Sequence, residues 1–455
     1  MRSAAASHVN IVGAGLAGAL LAVLLARRGL AVTLYERRPD PRQAAPERGR
    51  SINLALAARG IRSLERAGVM EQVRPLMIAM RGRMVHERSG PGALQPYGQR
   101  EHEVIYSVGR ADLNRVLIEE ALRHPNVTVR FNQQCTGVDV RANRLRLRDA
   151  SSGAGHEFDL APAIATDGAG SAVRTSLAAA GHVAVREQWL DHDYKELTIP
   201  PLVGRPALET HALHIWPRGG FMLIALPNTD ASFTATLFLA RTGARSFASL
   251  DSGAAVARFF AEQFPDAVPL LPHLTEEFAR HPQGQLGSVH TAPWRLEGKV
   301  LLLGDAAHAI VPFHGQGMNA AFEDCRVLDE LLDRHDDWET LFAELERARR
   351  PNTEAIAQMA LENYVEMRDT VLDARFVRLK GLAMALERRF PDRFIPRYSM
   401  VMFHPEIPYA EALRRGVLQA QLLDELDPGE GAAAGAPPDL GRADRLIRER
   451  LPPIG

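Results

Sequence analysis

The 455-residue sequence predicts an α/β fold in which a nucleotide-binding domain with a parallel sheet is interrupted by an antiparallel β-sheet domain and followed by a helical region. The first 36 residues have the pattern of a strand, a glycine-rich turn, a helix and a second strand. Between residues 194 and 239, alternating or aromatic-rich segments separated by turn residues are typical of antiparallel strands. From about Trp338 onward the hydrophobic pattern is helical.

The individual elements and domain boundaries follow from these patterns. The predicted strands of the nucleotide-binding domain are His8–Val12, Leu30–Glu36, Val104–Val108, Val127–Phe131, Asp159–Thr166 and Lys299–Leu303, with helices at Leu16–Arg28 and Asp112–Leu122. The predicted strands of the antiparallel sheet are Tyr194–Ile199, Ala212–Trp216, Phe221–Leu226 and Phe233–Leu239. The predicted boundaries are 1–75, 100–185 and 290–340 for the nucleotide-binding domain, 76–99 and 186–289 for the β-sheet domain, 341–426 for the helical region and 427–455 for a flexible tail that begins with a Pro/Gly/Ala linker, 427–438.

A glycine-rich turn gives the first indication of a ligand. Gly13, Gly15 and Gly18 form a GxGxxG pattern after the first predicted strand, as in a Rossmann-type domain. The first glycine permits the tight bend, the second lets the backbone approach a pyrophosphate, and the third lets the helix pack close to the sheet. Glu36 ends the next strand, where it can accept hydrogen bonds from ribose hydroxyls and disfavours a 2′-phosphate. The motif therefore predicts bound FAD or NAD rather than NADP; the alternative is a glycine-rich turn without a ligand.

A second group of motifs lies far along the chain. The strand Lys299–Leu303 is followed by Gly-Asp305, which places a carboxylate where it can accept hydrogen bonds from a ribityl chain. Asp305 can equally cap the following helix. The glycine-rich segment Pro312–Asn319 opens another helix, whose backbone N–H groups can stabilise negative charge on a reduced flavin. We give His308 and His314 no proton-transfer role, because a histidine in a loop more often packs or caps.

Composition limits the possible partners. The net charge is −1, with 54 basic and 55 acidic residues, so no bulk electrostatic argument supports binding to nucleic acid or an anionic membrane. Cys135 and Cys325 are the two cysteines, and no close-spaced Cys/His cluster predicts a metal site. No apolar stretch has the length of a membrane span, and the apolar N-terminal run, which also resembles a signal peptide, contains the glycine motif. We expect small-molecule partners and a reducing, cytoplasmic setting; the oligomeric state is left open, a dimer included.

Three motifs in order carry a resemblance to a known family. GxGxxG, DGxxSxxR from Asp167 to Arg174, and GDAAH at residues 304–308 resemble the fingerprints of the single-component FAD-dependent aromatic hydroxylases, whose fold is similar to that of para-hydroxybenzoate hydroxylase. From the residues alone, Asp167 and Ser171 are equally explained as helix caps and Arg174 as a solvated side chain. The resemblance implies bound FAD, NADPH as a transient co-substrate whose contacts the sequence does not indicate, and dioxygen. A second GxGxxG is absent from the sequence.

Within that group the chain resembles the kynurenine 3-monooxygenase family, from the first strand to about residue 415. The stretches that carry this resemblance are Arg48–Ala57, Met80–His86, Gln95–Gly98, Tyr194–Pro200, Leu213–Pro217, Ile224–Asn228, Val311–Asn319, Glu362–Met367 and Phe394–Met400. The resemblance implies hydroxylation of L-kynurenine to 3-hydroxy-L-kynurenine through a flavin C4a-hydroperoxide, in tryptophan degradation by the kynurenine pathway. The flavin performs the chemistry, so neither a catalytic residue nor a metal is predicted.

The resemblance also implies site residues. Arg83 matches the arginine that binds the substrate carboxylate, for which a guanidinium fork is suited. Tyr97, Tyr398 and Asn363 match its neighbours at the amino-acid end. The other residues that match substrate contacts are Leu213, Ile224, Leu226, Phe238, Phe313 and His314. Besides the glycines of the first turn, those that match cofactor contacts are Ala17, Glu36, Arg38, Ala55, Arg110, Cys135, Asp305, Gly317, Met318 and Asn319.

Several alternatives stay open. Taken singly, each residue at the amino-acid end has another explanation. Arg83 fits a solvated surface, Tyr97 an aromatic residue in a turn, and Asn363 the packing of a helix. Asp193 stands where the family usually has Gly, which predicts a different shape for that loop. Another function compatible with the motifs is hydroxylation of a different aromatic acid. A flavin-binding kynurenine sensor without catalysis and a membrane-associated flavin reductase are further alternatives.

Overall fold

The computed structural model describes residues 8–43, 53–88, 90–160, 162–427, 429 and 440–454. Two sequence-based predictions fall partly outside this range. Most of the predicted linker 427–438 lies outside the described residues, and so do residues 48–52 of the stretch Arg48–Ala57.

The described residues form strands and helices as follows. The strands are β1 (His8–Val12), β2 (Ala31–Tyr35), β3 (Asn53–Leu56), β4 (Ile78–Met80), β5 (Gly82–Val85), β6 (Ala93–Pro96), β7 (Ile105–Gly109), β8 (Val127–Arg130), β9 (Gln133–Asp139), β10 (Arg144–Asp149), β11 (Gly155–Asp159), β12 (Ala163–Ala165), β13 (Ala184–Ile199), β14 (Ala212–Pro217), β15 (Met222–Pro227), β16 (Phe233–Ala240), β17 (Gln283–Ala292), β18 (Arg295–Leu296) and β19 (Val300–Leu302). The α-helices are α1 (Leu16–Arg27), α2 (Ala58–Ala67), α3 (Met70–Val73), α4 (Arg110–Arg123), α5 (Ala172–Ala179), α6 (Gly253–Gln263), α7 (Leu274–Arg280), α8 (Asp305–His308), α9 (Gly317–Leu331), α10 (Trp338–Val365), α11 (Ala374–Arg389), α12 (Arg397–Phe403), α13 (Tyr409–Leu426) and α14 (Leu440–Arg450).

The predicted α/β class is confirmed, and the chain divides into two compact units. The first unit comprises the described parts of Met1–Ile78, Tyr106–Leu190 and Gln285–Ala357; the second comprises those of Ala79–Ile105, Asp191–Gly284 and Gln358–Gly455. The predicted helical region 341–426 does not form a unit of its own, because its first 17 residues group with the first unit. Strands β3 to β6, β9 to β11, β17 and β18 have no predicted counterpart. Most of them are short, and β10 alternates arginine with leucine, so they lack a continuous apolar pattern.

The first unit is built on a six-stranded sheet in the order β18-β19-β12-β1-β2-β8. All neighbouring pairs are parallel except β18 with β19. Because β19, β12 and β1 are parallel neighbours, their carboxyl ends meet at one edge of the sheet. The three segments that follow these strands begin the GDAAH, DGxxSxxR and GxGxxG motifs. Strand order therefore brings together motifs that are almost 300 residues apart in the sequence.

The second unit is built on a seven-stranded sheet in the order β17-β13-β16-β15-β14-β5-β6. One face of this sheet packs on α6 and α7 through an apolar cluster that includes Trp216, Leu223, Ala235, Leu237, Phe260 and Phe278. Side chains alternate between the faces along a strand, so the intervening residues of β14, β15 and β16 point to the other face. The predicted substrate residues of these strands are on that other face.

The C-terminal residues of the second unit differ from the predicted flexible tail. Residues 440–450 form α14, in which Ala443 and Ile447 have no exposed surface; Leu451, just beyond it, is also fully buried. These residues recur every four positions and pack in one cluster with Leu386 of α11 and Leu422 of α13. Helix α14 is otherwise rich in charged residues, but this narrow apolar stripe is enough to pack it against α11 and α13, because only one face of a helix has to be apolar.

Candidate functional site

The glycine-rich turn after β1 has a geometry that side chains would prevent. Gly13 has a φ of +99°, and a Cβ there would lie 2.7 Å from the Thr166 carbonyl oxygen. A Cβ on Gly18 would lie 2.0 Å from the Gly13 oxygen, so this glycine allows α1 to approach the sheet. A Cβ on Gly15 would meet no protein atom within 4 Å, and no side chain caps α1. Among the described residues, the N-terminus of α1 is therefore sterically open at Gly15 and has no side-chain cap, which suits a pyrophosphate.

Glu36 is fixed beside this turn. Its carboxylate accepts a hydrogen bond from the Ala14 amide at 2.9 Å through Oε2, and from the Arg38 backbone at 3.0 Å through Oε1. Arg38 Nε also donates to Oε1 at 2.9 Å, although the Arg38 side chain is half exposed. Because a carboxylate oxygen accepts more than one hydrogen bond, Oε2 retains the capacity to accept from a ribose hydroxyl.

The motifs after β12 and β19 are connected to each other through Arg174. Asp167 Oδ2 accepts from the Ala172 amide at 2.8 Å and Ser171 Oγ accepts from the Arg174 amide at 3.0 Å, so both residues cap α5. Arg174 is buried rather than solvated, and its Nη1 donates to the Ala306 carbonyl at 2.9 Å. Asp305 is the first residue of α8 and is exposed, with Gly304 at the cap position. The capping alternative thus applies to Asp167 and not to Asp305.

Asn319 connects the start of α9 to β3. Its Oδ1 accepts from the Ala57 amide at 2.9 Å, and its Nδ2 donates to the carbonyls of Ala55 at 2.8 Å and Gly315 at 2.9 Å. The side chain is fully buried. Asn319 is therefore held by hydrogen bonds to three backbone groups. It lies in the first turn of α9, directly after Gly317 and Met318, and no side chain among the described residues caps this helix.

The other predicted cofactor and substrate residues of this unit vary in exposure. Arg110 begins α4 and is exposed, whereas Ala17 is partly buried. Burial, followed by the nearby Asp167 carboxylate, raises the pKa of the Cys135 thiol to about 12. Phe313 and His314 are buried in a 3₁₀ turn, Pro312–His314, just before α9. Both belong to the first unit.

A buried charge network lies behind these motifs, and we call it the Asp324 network: Arg59, His308, Glu323, Asp324, Arg326 and Arg349. Arg349 donates from Nε to Asp324 Oδ1 at 2.7 Å and from Nη1 to Glu323 Oε2 at 2.6 Å. His308 Nε2 lies 2.6 Å from Asp324 Oδ2, to which the Gly304 amide donates at 3.3 Å. The contact with Asp324 gives His308 a structural role within this network.

The second unit contains a buried polar group, which we call the Arg83 cluster: Arg83, Tyr97, Asn363, Glu366 and Tyr398. Arg83 on β5 is 5% exposed. Its Nη1 donates to Glu366 Oε1 at 2.9 Å and its Nη2 to Asn363 Oδ1 at 3.2 Å. The rings of Tyr97 and Tyr398 stack with centroids 5.3 Å apart, and the guanidinium lies 5.8 and 5.3 Å from those two centroids.

The electrostatics of the cluster keep its cation charged and its phenols neutral. Burial lowers the pKa of Arg83, but Glu366 and the two tyrosines raise it, and the net direction is upward. Burial raises the pKa of Tyr97 and of Tyr398. The cluster therefore presents a permanent positive charge with two neutral hydroxyl groups, which is a set of donors for an anion such as a carboxylate.

The predicted apolar residues lie on the same face of the sheet as Arg83. Arg83 pairs with Leu213 across β5 and β14, and Ile215 pairs with Ile224 across β14 and β15. Phe238 pairs with Met222, which is on the same face as Ile224 and Leu226. Leu213, Leu226 and Phe238 are buried and Ile224 is partly buried. One sheet face thus combines a buried cation with an apolar wall.

Comparison with known proteins agrees with this geometry. A family model described as "FAD binding domain" matches residues 6–358. The kynurenine 3-monooxygenase of Stenotrophomonas maltophilia (strain K279a) is 48% identical over 440 residues, which cover 95% of this chain and 96% of that protein. The enzyme of the same name from Myxococcus xanthus (strain DK1622) is 46% identical over 455 residues, covering 100% and 97%. The chain belongs to the kynurenine 3-monooxygenase family.

Solved structures support the fold. A tetrameric form of 2-methyl-3-hydroxypyridine-5-carboxylic acid oxygenase is similar with a TM-score of 0.65 at 19% identity, over 80% of this chain and 93% of that one.

As a member of the kynurenine 3-monooxygenase family, the chain is an FAD-dependent monooxygenase, and NADPH is its co-substrate. Within the described ranges, no helix is both long and apolar enough to cross a membrane.

Two charged residues at or near the Arg83 cluster, Glu366 and Lys380, were not among the predicted site residues. Glu366 pairs with Arg83 and begins a π-helical turn, Glu366–Thr370, that directly follows α10. Its position three residues after Asn363, on the same side of a helix, was the pattern that could have indicated it. Lys380 of α11 lies near the cluster, and no motif in the sequence marks it.

Asp193 does not reach this site. It pairs with Leu239 across β13 and β16, and Leu239 belongs to the face that packs on the helices. Its Oδ2 accepts from Gln283 Nε2 at 2.7 Å. The exchange of the usual Gly for Asp therefore places a hydrogen-bonded carboxylate within a strand, on the face opposite to Arg83.

Proposed function

We propose that this protein hydroxylates L-kynurenine to 3-hydroxy-L-kynurenine, using NADPH and dioxygen, as a step of tryptophan degradation. The observation that carries the proposal is the Arg83 cluster at the end of an apolar sheet face. An α-amino acid with an aromatic ketone has the same division into a charged end and an apolar ring. The names of relatives at 46 to 48% identity supply the specific substrate.

We assign the charged end of the substrate to the Arg83 cluster. The guanidinium fork of Arg83 binds the carboxylate, and Glu366 is the group displaced from it, since its side chain is 28% exposed. The hydroxyl groups of Tyr97 and Tyr398 donate hydrogen bonds to the same carboxylate. Asn363 holds one guanidinium nitrogen in place at 3.2 Å.

We assign the aromatic ring of the substrate to the apolar wall. The predicted residues Leu213, Ile224, Leu226 and Phe238 orient the ring and exclude water from it. The family resemblance also assigns Phe313 and His314 as substrate contacts. No protein acid or base is assigned, because the ring amine of kynurenine itself activates the neighbouring carbon.

We assign the cofactor to the carboxyl edge of the first sheet. The N–H groups of α1 beside Gly15 hold the pyrophosphate, Glu36 a ribose, and Asp305 the ribityl chain. The remaining contacts carried over from the resemblance are Ala17, Arg38, Ala55, Arg110, Cys135, Gly317, Met318 and Asn319. When bound, FAD would accept a hydride from NADPH and, after reaction with dioxygen, would transfer one oxygen atom to the substrate ring while the other leaves as water.

A reducing compartment such as the cytoplasm is the setting we propose. Cys135 and Cys325 are both free thiols. A protein that depends on NADPH also requires a compartment that maintains this reductant. A dimer stays a prediction without support.

The test is a product assay on the purified FAD-loaded protein. NADPH oxidation is measured in air with L-kynurenine, with a phenolic acid and without substrate, and the product is identified by mass and ring position. We expect oxidation stimulated by L-kynurenine and a product hydroxylated at carbon 3. Stimulation by the phenolic acid alone supports a different aromatic hydroxylase, and binding of L-kynurenine without stimulation supports a sensor; either result contradicts the proposal.

A further inference from the structure

Lys380 is placed beside the Arg83 cluster by a shared neighbour, Gln95. The Lys380 Nζ lies 3.5 Å from Gln95 Oε1. Gln95 on β6 is the register partner of Arg83 on β5. Directly paired residues of antiparallel strands have Cβ atoms about 5 Å apart. The ammonium group of Lys380 is therefore placed near the side chain that carries the guanidinium, that of Arg83.

Gln95 also connects Lys380 to the segment that carries Glu366. Its Nε2 donates to the Val371 carbonyl at 3.2 Å, and Val371 directly follows the π-helical turn Glu366–Thr370. A π-helical turn within a longer helix is frequent at functional sites. Gln95 thus joins β6, the end of this turn and α11, and it brings the charges of Glu366 and Lys380 to the same region.

Counting charges shows why a second cation matters. Without substrate, the positive charge of Arg83 is paired with Glu366 at 2.9 Å. When a carboxylate takes both ends of the guanidinium fork, Glu366 loses its partner in a site that is only partly exposed to water. A partly buried carboxylate without a counter-ion is costly. The substrate also brings an α-ammonium group, so the occupied site does not lack cations altogether. A second cation fixed by the protein near Glu366 removes the cost without requiring that ammonium group to take the place of Arg83.

We propose that Lys380 is a specificity-determining residue that pairs with Glu366 when the substrate carboxylate occupies Arg83. The inference rests on the proposed function, because it concerns binding of an amino acid at this site. Lys380 then acts through Glu366 and Gln95 and not by touching the reacting ring. It allows the site to accept an added carboxylate without an unpaired negative charge.

The role requires the protonated amine, so binding depends on pH. Burial and the charge of Arg83 lower the pKa of Lys380, Glu366 opposes them, and the result is about 8. Arg83 on β5 and Glu366 on the π-helical turn are the charged groups that act on it. Because substrate binds more tightly to the protonated form, the dissociation constant for L-kynurenine rises as the pH rises through the pKa of Lys380.

The experiment compares Lys380→Met and Lys380→Arg with the wild-type chain, all loaded with FAD. The dissociation constant of L-kynurenine is measured from the change in flavin absorbance without NADPH, and KM and kcat are measured separately. The range runs from about pH 6 to about pH 10, which covers titration of a shifted lysine. Lys299→Met is the control, since the Lys299 side chain is 40% exposed and belongs to the first unit.

We expect Lys380→Met to raise the dissociation constant and KM about tenfold at neutral pH, with kcat changed less than about twofold. Lys380→Arg should retain wild-type affinity at neutral pH and hold it at high pH, because arginine stays charged. The ammonium group of the substrate titrates in the same range, so the readout is the difference in slope between wild type and Lys380→Arg.

Two results overturn the inference. One is a Lys380→Met chain with the affinity and pH slope of the wild type. The other, which also applies where Lys380→Met does not fold, is a Lys380→Arg chain whose affinity falls with pH as steeply as that of the wild type. A wild-type chain without any flavin change on adding L-kynurenine, at any pH, overturns the proposed function instead.

Discussion

Each unit buries an arginine among acidic groups, and the two arginines differ in how completely the protein binds them. Arg349 in the first unit donates from Nε, Nη1 and Nη2 to two buried carboxylates and a carbonyl, at 2.7, 2.6 and 3.4 Å. Arg83 in the second unit donates to one partly exposed carboxylate and one neutral amide. The first arrangement is saturated by the protein, whereas the second contains a partner that a ligand can replace.

This difference separates a structural charge network from a ligand site. Asp324 of the network accepts a hydrogen bond from the Gly304 amide, whereas the pyrophosphate contacts proposed for the first unit are backbone N–H groups at the start of α1. In the second unit the charged side chains are themselves the proposed ligand groups. Removing a charge should therefore cost stability in the first unit and substrate affinity in the second.

The largest effect is expected for Asp324→Ala. This change removes the carboxylate next to His308 and one of the two buried carboxylates that bind Arg349. Breaking a buried ion pair in this way costs about 3–5 kcal/mol. Unfolding of the FAD-loaded protein in urea measures the loss. Asp333→Ala is the matched control, because this aspartate pairs with Arg28 but its side chain is 58% exposed, and we expect a loss below about 1 kcal/mol. Equal losses in the two variants would show that the network is not structural.

Acid should reduce the difference between wild type and Asp324→Ala. Burial raises the pKa of Asp324, but His308 and Arg349 lower it more, so it lies below its ordinary value. A lowered pKa in the folded state contributes stability that is present above the ordinary value and is lost as the pH falls through the lowered one. The two unfolding free energies should therefore converge in acid. A constant difference down to the lowest accessible pH would contradict the assignment.

The next largest effect is expected for Arg83→Met, and it concerns binding. Truncating one partner of a buried charge pair costs enough to raise KM for L-kynurenine about 100-fold. The protein should still bind FAD, because the cofactor groups belong to the other unit. Arg81→Met, two residues away in the same segment and exposed, is the control and should leave KM unchanged. If both variants had the wild-type KM, Arg83 would not be the carboxylate-binding residue.

The smallest effects are expected for a pair of glycine variants that separate folding from cofactor binding. Gly18→Ala places a methyl group 2.0 Å from the Gly13 oxygen and should cost about 1–3 kcal/mol of stability. Gly15→Ala meets no protein atom within 4 Å, so stability should be unchanged, while FAD affinity falls about tenfold because the methyl group occupies the approach to the helix N-terminus. Thermal unfolding of the apoprotein and fluorescence titration with FAD measure the two quantities. Unchanged FAD affinity in Gly15→Ala would place the pyrophosphate elsewhere.

Much of the fold of the first unit and the backbone geometry of its glycine-rich turn could be predicted from the sequence. Its chemistry depends on short contiguous motifs, in which Gly13, Gly18 and Glu36 have roles set by local backbone geometry. The roles of Asp167, Asp305 and Arg174 stayed ambiguous, since a cap and a ligand contact require the same residue types. The structure distinguished them through hydrogen bonds to α5 and to the Ala306 carbonyl.

The sequence by itself determined the α/β class, the glycine-rich turn after the first strand and, through resemblance, the family and the residues that form the Arg83 cluster apart from Glu366. Tertiary structure alone decided that β19, β12 and β1 are neighbours, that α14 is docked and that Glu366 and Lys380 join Arg83. The physical reason is that a glycine turn is specified by residues adjacent in the chain. The charge of a buried site is instead the sum over side chains from separate strands and helices.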